Sequence, residues 1–228
     1  MTISFFDKYE LSSGFHGWRV VATIRGKRYQ KYFSMKRPNT RITQDFWFKY
    51  QETRARYYEA RYQARSAAIQ YIDFISKDHA ATRPCRGVGF HGITLGIGTG
   101  RSAQETCYFS VNKRGAATKF YIAEGASLSK AWKQAVCRWG EVFDVRPKDI
   151  AKKLIQVPSP DHFKYLRKQL NEREGYDYPV SVLHHVYAEQ RSYLERQKAR
   201  KSTKGEVGQD DLLSMYANLE RQVSEFRK

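Results

Sequence analysis

The chain has 228 residues, with 41 Lys/Arg against 23 Asp/Glu, a formal net charge of +18 and a pI near 9.8. That excess points to a polyanionic partner and away from an ordinary metabolic enzyme. Hydrophobic residues make up 41% and aromatics 14%, too many for a disordered basic tail, so the chain is expected to fold.

A first strand is expected near Ile3–Glu10. From Trp18 to Arg25 the residues alternate, with Trp18, Val20, Ala22 and Ile24 on one face and Arg19, Val21, Thr23 and Arg25 on the other. Gly26 and Lys27 read as a tight turn into a strand from Arg28 to Ser34. Pro38 and Asn39 break the pattern, and Thr43 can cap a helix that runs without Gly or Pro to about Ser76. Its apolar positions Tyr57, Ala60, Ala64, Ala67, Ala68, Tyr71 and Ile75 recur at helical spacing, the mark of a packing face.

The same order then returns. Strands are expected at Ile93–Ile97, Thr106–Lys113 and Thr118–Ala123, with Arg114-Gly115 in the second turn. A helix capped by Ser127 follows, with Leu128, Ala131, Trp132, Ala135, Val136 and Trp139 on one stripe. The two hairpins superimpose in sequence: Arg25-Gly26 on Arg114-Gly115, Tyr32 on Tyr121, Phe33 on Ile122. A second likeness, Gly14-Phe15-His16-Gly17 with Gly89-Phe90-His91-Gly92, demands a different offset. The hairpin register is preferred because it keeps turn, alternation and following helix together.

After Phe143, prolines 147, 158 and 160 punctuate a connector holding a short helix near Lys148–Ile155. Helices are expected at about 161–174, 181–200 and 210–227, with a polar, mobile link from Lys201 to Gln209. In the last, Leu212, Tyr216, Leu219, Val223 and Phe226 recur at spacings of four and three, an a/d stripe about two heptads long. Such a stripe either docks on its own protein or joins two copies in a homodimer. The expected fold class is thus α+β: two tandem domains of a three-stranded antiparallel sheet plus a helix, 1–79 and 86–143, then an α-helical C-terminal region, 144–228.

The charge follows this division. Residues 1–143 carry 24 Lys/Arg against 10 Asp/Glu, and residues 144–228 carry 17 against 13. The polyanion is therefore expected to meet the first two thirds. The first sheet offers Arg19, Thr23, Arg25, Lys27, Tyr29 and Lys31, types that pair with guanine edges or reach phosphates when a sheet lies in the major groove of DNA. The second offers Ser110, Asn112 and Arg114, with Lys119 and Tyr121 opposite. On the first helix Arg54, Arg61 and Arg65 share one side, a face for solvent, a neighbouring phosphate backbone or another subunit.

Other chemistries are declined. Gly87 to Gly92 fits G-x-G-x-x-G, yet a strand follows where a dinucleotide fold needs a helix. Gly96 to Ser102 lacks the lysine and spacing of a phosphate loop. His184-His185 has no ligand partner at metal spacing, and no nucleophile–base or paired-carboxylate set is visible, so no catalytic residue, metal or cofactor is expected. Cys85, Cys107 and Cys137, odd in number and far apart, fit buried free thiols in a reducing cytosol. No apolar stretch approaches the roughly 18 residues of a membrane helix. Met1 to Leu11 lacks a signal pattern. A cytoplasmic, nucleoid-associated protein without membrane contact is the expectation.

The run from Gly17 to Phe33 resembles the core of the Apetala-two/ethylene-response-factor DNA-binding domain, including the G-K-x-Y/W-x-x-x-F ending of its phage and bacterial versions. The Tyr57–Tyr71 helix is similar to that family's single packing helix, and Tyr108 to Trp139 resembles the unit more loosely. The resemblance implies a three-stranded sheet reading the major groove, with Arg19, Thr23 and Arg25 at the middle-strand contacts and Lys27 and Tyr29 on the third strand. Gln30 departs from the family by standing at a usually apolar position, and the first helix and the chain before it are longer than usual. The function so implied is sequence-preferring binding of double-stranded DNA by a bacterial or phage transcriptional regulator. The alternatives are an accessory factor of site-specific recombination, similar to integrase arm-binding domains, a non-specific architectural protein, or an RNA binder stacking bases on Tyr29, Tyr108 or Phe120.

Overall fold

In the computed structural model the alternation around Val20 becomes the centre of an antiparallel sheet. Strands β1 (Thr2–Phe6), β2 (Gly17–Ile24) and β3 (Lys27–Ser34) lie in the order β1-β2-β3. The structure describes residues 2–39, 41–100, 104–113, 115–205 and 209–226, with the backbone alone for 201–205, 209–211 and 226. The chain divides into two units, Met1–Lys77 and Asp78–Lys228. Among the described residues the architecture is mixed α/β, with two separate three-stranded antiparallel sheets and six α-helices.

In the first unit the helix α1 (Gln44–Ser76) packs on one face of the sheet. Thr43 Oγ1 accepts the Phe46 amide at 3.3 Å, which satisfies one of the open donors of the first turn. Val20, Phe33 and Ala55 form the core, ringed by Ile3, Trp18, Tyr58 and Tyr62. Ala55, fully buried, lets the helix axis approach the strands, and the rings on either side fill the flanks. Near the start of the helix, Trp47 Nε1 and Gln51 Nε2 both donate to the Ser34 carbonyl, at 3.3 and 3.1 Å.

This arrangement corrects the packing face read from the helix sequence. Tyr57 is 61% exposed, and Ala60, Ala64, Ala67 and Ala68 are exposed with it, while Tyr71 and Ile75 at the end of that stripe are half-buried. The sheet-facing residues are Gln51, Ala55, Tyr58 and Tyr62, roughly half a turn away around a helix of 3.6 residues per turn. Both stripes hold alanines and tyrosines, so spacing by itself does not choose between them. The sheet selects the one whose small residue sits at the closest approach.

The second sheet contains β4 (Ile93–Thr99), β5 (Glu105–Lys113) and β6 (Ala116–Tyr121), in that order. Helix α2 (Leu128–Phe143), capped by Ser127, buries the stripe expected from sequence, Leu128, Ala131, Trp132, Ala135, Val136 and Trp139. Phe109 at the middle of β5 meets Trp132 at 5.2 Å and Phe163 at 5.5 Å between ring centroids. Phe163 belongs to α4 (Asp161–Arg173), which follows the short α3 (Pro147–Ile155). Residues 144–228 therefore fall in the same unit as the second sheet, and α4 contributes Phe163, Leu166 and Leu170 to its core. Of the three cysteines expected to be buried, Cys85 and Cys137 are exposed; Cys107 is buried there and burial pushes its thiol up to about 12, so it stays protonated.

The next helix differs from the expected 181–200. A 3-10 turn, Val180–Leu183, sends Val182, Leu183 and Val186 into the core, and α5 (Ala188–Gly205) starts only after them. Helix α5 also runs through most of the polar stretch read as a link, since no Gly or Pro interrupts it before Gly205. In α6 (Gln209–Phe226), Leu212, Tyr216, Leu219 and Val223 are 51–63% exposed, so the described part of that stripe is not covered by its own chain. The Phe226 side chain lies outside the described residues.

The two stripes of α1 make different predictions. Tyr58→Ala should destabilise the first unit by about 2 kcal/mol, because it opens a gap over Phe33. Tyr57→Ala should change stability by less than about 0.5 kcal/mol. Urea unfolding of both variants checks the assignment, and a larger loss at Tyr57 would reverse it.

Candidate nucleic-acid interface

One face of the first sheet lies under α1, and the other carries the candidate interface. Arg25 (φ 49°) and Gly26 (φ 74°) form a two-residue turn with both centres left-handed, the geometry that suits a twisted hairpin. It pairs Ile24 with Lys27, Thr23 with Arg28, Val21 with Gln30 and Arg19 with Tyr32. Cross-strand partners share a face, so the face away from α1 presents Arg19, Val21, Thr23, Arg28, Gln30 and Tyr32. From β1, Ser4 pairs with Arg19 and Phe6 with Gly17 on that same face.

Arg19 and Thr23 are thus where the sequence reading put them. The Arg19 guanidinium lies 4.5 Å over the Phe6 ring, and its Nε is buried without a hydrogen-bond partner among the described residues. Stacking of this kind fixes a guanidinium plane while its outer nitrogens remain available. Thr23, Arg28 and Gln30 are exposed, and the Tyr32 hydroxyl donates to Gln30 Oε1 at 3.1 Å.

The other expected contacts sit elsewhere. Lys27, Tyr29 and Lys31 pair with Ile24, Ala22 and Val20, which places them on the helix side of the edge strand β3. Lys31 Nζ is 5.3 Å over the Tyr58 ring, and the Arg65 guanidinium is 5.0 Å over Tyr29, whose ring centre is 6.0 Å from that of Tyr62. These cations form a basic row along the β3 edge together with Arg61, 6.0 Å over Tyr58. Arg25 is in the turn rather than on the middle strand. Its guanidinium pairs with Asp73 of α1 at 2.6 Å, which turns it back toward the helix.

The difference comes from carrying the odd-numbered alternation of β2 straight through the hairpin. A two-residue turn pairs odd with even positions, so Arg25-Gly26 and Gly26-Lys27 alike set Arg28, Gln30 and Tyr32 on the face of Arg19 and Thr23. The signal that identifies Arg28, Gln30 and Tyr32 is the two-residue length of the turn; the Arg-Gly dipeptide recurs in the sequence at 114–115. No family model, curated protein or solved structure matches this chain.

The second sheet has a matching open face. Ser110 pairs with Lys119, Asn112 with Ala117 and Tyr108 with Tyr121, which brings Ser110, Asn112, Lys119 and Tyr121 together. Arg114 lies outside the described residues. Tyr108 lies across Gly96, where an added Cβ would stand 2.4 Å from its ring, and Lys119 Nζ sits 4.6 Å over the same ring. Phe120 pairs with Phe109 on the opposite, core-facing side. The first unit carries 15 Lys/Arg against 6 Asp/Glu and the second 26 against 17, the same net excess, but the first spreads it over 77 residues and the second over 151, so positive charge is denser in the first unit. Among the described residues no group of three or more His, Cys, Asp or Glu could hold a metal, and no helix is long and apolar enough to cross a membrane.

The Arg25–Asp73 pair has a pH signature. Lys77, then Arg25, hydrogen-bond the Asp73 carboxylate and hold it below its ordinary value of 3.8. A lowered native value contributes stability that is complete above the unfolded value and disappears as pH falls through the native one. Wild type should therefore exceed Asp73→Asn by a constant margin at neutral pH, with the margin shrinking below about pH 4. Thermal melts across that range check it, and a margin that persisted in acid would exclude the pair as its source.

Proposed function

We propose that this chain is a non-enzymatic, sequence-preferring double-stranded DNA-binding protein that reads the major groove with the open face of its first sheet. What supports the reading is the face itself: Thr23, Arg28 and Gln30 are exposed beside a half-buried Arg19, in the unit where positive charge is denser. Arg and Gln bond bidentately to guanine and adenine edges, and a sheet of this width fits the groove. Lys27, Lys31 and Arg65 along the β3 edge suit phosphates, which position a protein without reading sequence. The second sheet, with Asn112 and Lys119 open, acts as a weaker reader on the same chain, and joining two weak readers raises overall affinity.

In this reading the protein is an Apetala-two-like regulator with tandem sheet-plus-helix domains, and its helical C-terminal residues serve assembly. The exposed stripe of α6 supports a homodimer through Leu212, Tyr216, Leu219, Val223 and Phe226. Association with the nucleoid follows from DNA binding.

Selection from a random duplex library at two salt concentrations tests the proposal. The expected result is an enriched motif in two parts. Binding without a motif that collapses with salt would instead mark an architectural protein held by backbone attraction. On the selected site Arg28→Ala should cost about 1–3 kcal/mol and relax one position, whereas Lys31→Ala should weaken all sequences alike and lower the salt slope by about one. Equal behaviour of the two variants would remove the distinction between reading face and edge.

A further inference from the structure

A cleft of about 600 Å³ opens in the second unit, where α4, the 3-10 turn and the start of α5 meet. Its apolar lining comes from Val180, Leu183 and Tyr187, and its cationic lining from Lys164, Arg167 and Arg191. The volume falls within the range of small-molecule sites. Asp161 also lines it, and this carboxylate already accepts the Tyr187 hydroxyl at 2.8 Å. Burial, then that bond, pushes the phenol up to about 12, so Tyr187 remains a neutral donor.

The cations are held in place. Arg167 Nε donates to the Tyr178 carbonyl at 2.6 Å, and Arg191 Nη2 to the His184 carbonyl at 2.7 Å. Backbone carbonyls orient a guanidinium without neutralising it. Neither arginine, nor Lys164, has an ion-pair partner among the described residues. Three cations against the single Asp161 carboxylate leave the cleft lining with a net positive charge, which favours an anion. The apolar wall requires that the anion carry a hydrophobic body, since a bare phosphate would leave it wet.

We infer that this cleft binds a small organic anion, a carboxylate, sulfonate or phosphate ester on an aromatic or branched aliphatic body, with Lys164, Arg167 and Arg191 on the charge and Val180, Leu183 and Tyr187 on the body. The inference is independent of DNA binding, because it uses none of the sheet-face residues. A bound anion places its charge beside the first turn of α5 and its body against the half-buried 3-10 turn.

The probe is 8-anilinonaphthalene-1-sulfonate, titrated into the full chain by fluorescence, with amide chemical shifts followed in parallel. The neutral N-phenyl-1-naphthylamine serves as control. Lys164→Gln should weaken the sulfonate about tenfold, as expected for one lost charge-assisted hydrogen bond, and leave the neutral dye unchanged. Lys164 is exposed and makes no bond within the protein among the described residues, so this variant keeps the fold. Arg191→Gln should act in the same direction, and shifts should centre on 181–187. Unchanged sulfonate affinity in both variants, or shifts confined to α6, would overturn the site. Displacement of the dye by a short DNA duplex, with shifts at the same amides, would reassign the cleft to phosphate-backbone contact and also overturn it.

Discussion

The left-handed pair Arg25 and Gly26 closes the first hairpin in two residues, and the identity of the open face depends on that count. With two turn residues, Thr23 faces Arg28 and Arg19 faces Tyr32. A third would exchange Arg28, Gln30 and Tyr32 for Lys27, Tyr29 and Lys31. Gly26 accepts its backbone conformation at no steric cost, whereas Arg25 is a non-glycine residue held there. Its bond to Asp73 joins the turn to the far end of α1, so the tip of the hairpin and the helix behind it are fixed together.

The helix and the hairpin solve a joint problem. A three-stranded sheet is stable alone only if one face is buried, and a single helix covers one face and no more. Val20, Ala22, Ile24 and Phe33 are spent on that contact. The opposite face keeps polar and cationic side chains in water, braced by Phe6 under Arg19. The second unit follows the same plan with heavier packing: α2 brings two tryptophans, and α4 adds Phe163 beside Phe109. Its open face is correspondingly less charged, with Tyr108 and Tyr121 in contact where the first sheet has Arg19 and Tyr32.

Much of this was legible in the residues themselves. The alternation in β2 and the stripe of α2 were readable because apolar and polar positions separate cleanly there. Helix α1 was legible as a helix but not in its orientation, since Ala55, Tyr58 and Tyr62 resemble Tyr57, Ala60 and Ala64 in type. Arg19 and Thr23 were found from one strand's periodicity. Arg28, Gln30 and Tyr32 required counting pairs across the turn, a property of two strands at once. The participation of Phe163 in the second core is a long-range contact that no local pattern announces, and the prolines at 147, 158 and 160 made a boundary look natural there.

Amide hydrogen exchange on the full chain, with and without its selected duplex, tests the central claim most directly. The account predicts new protection along β2 and β3 around Arg19, Thr23, Arg28 and Gln30, with the exposed Tyr57–Ala67 face of α1 unchanged. Protection on that helix face with none on the strands would contradict it.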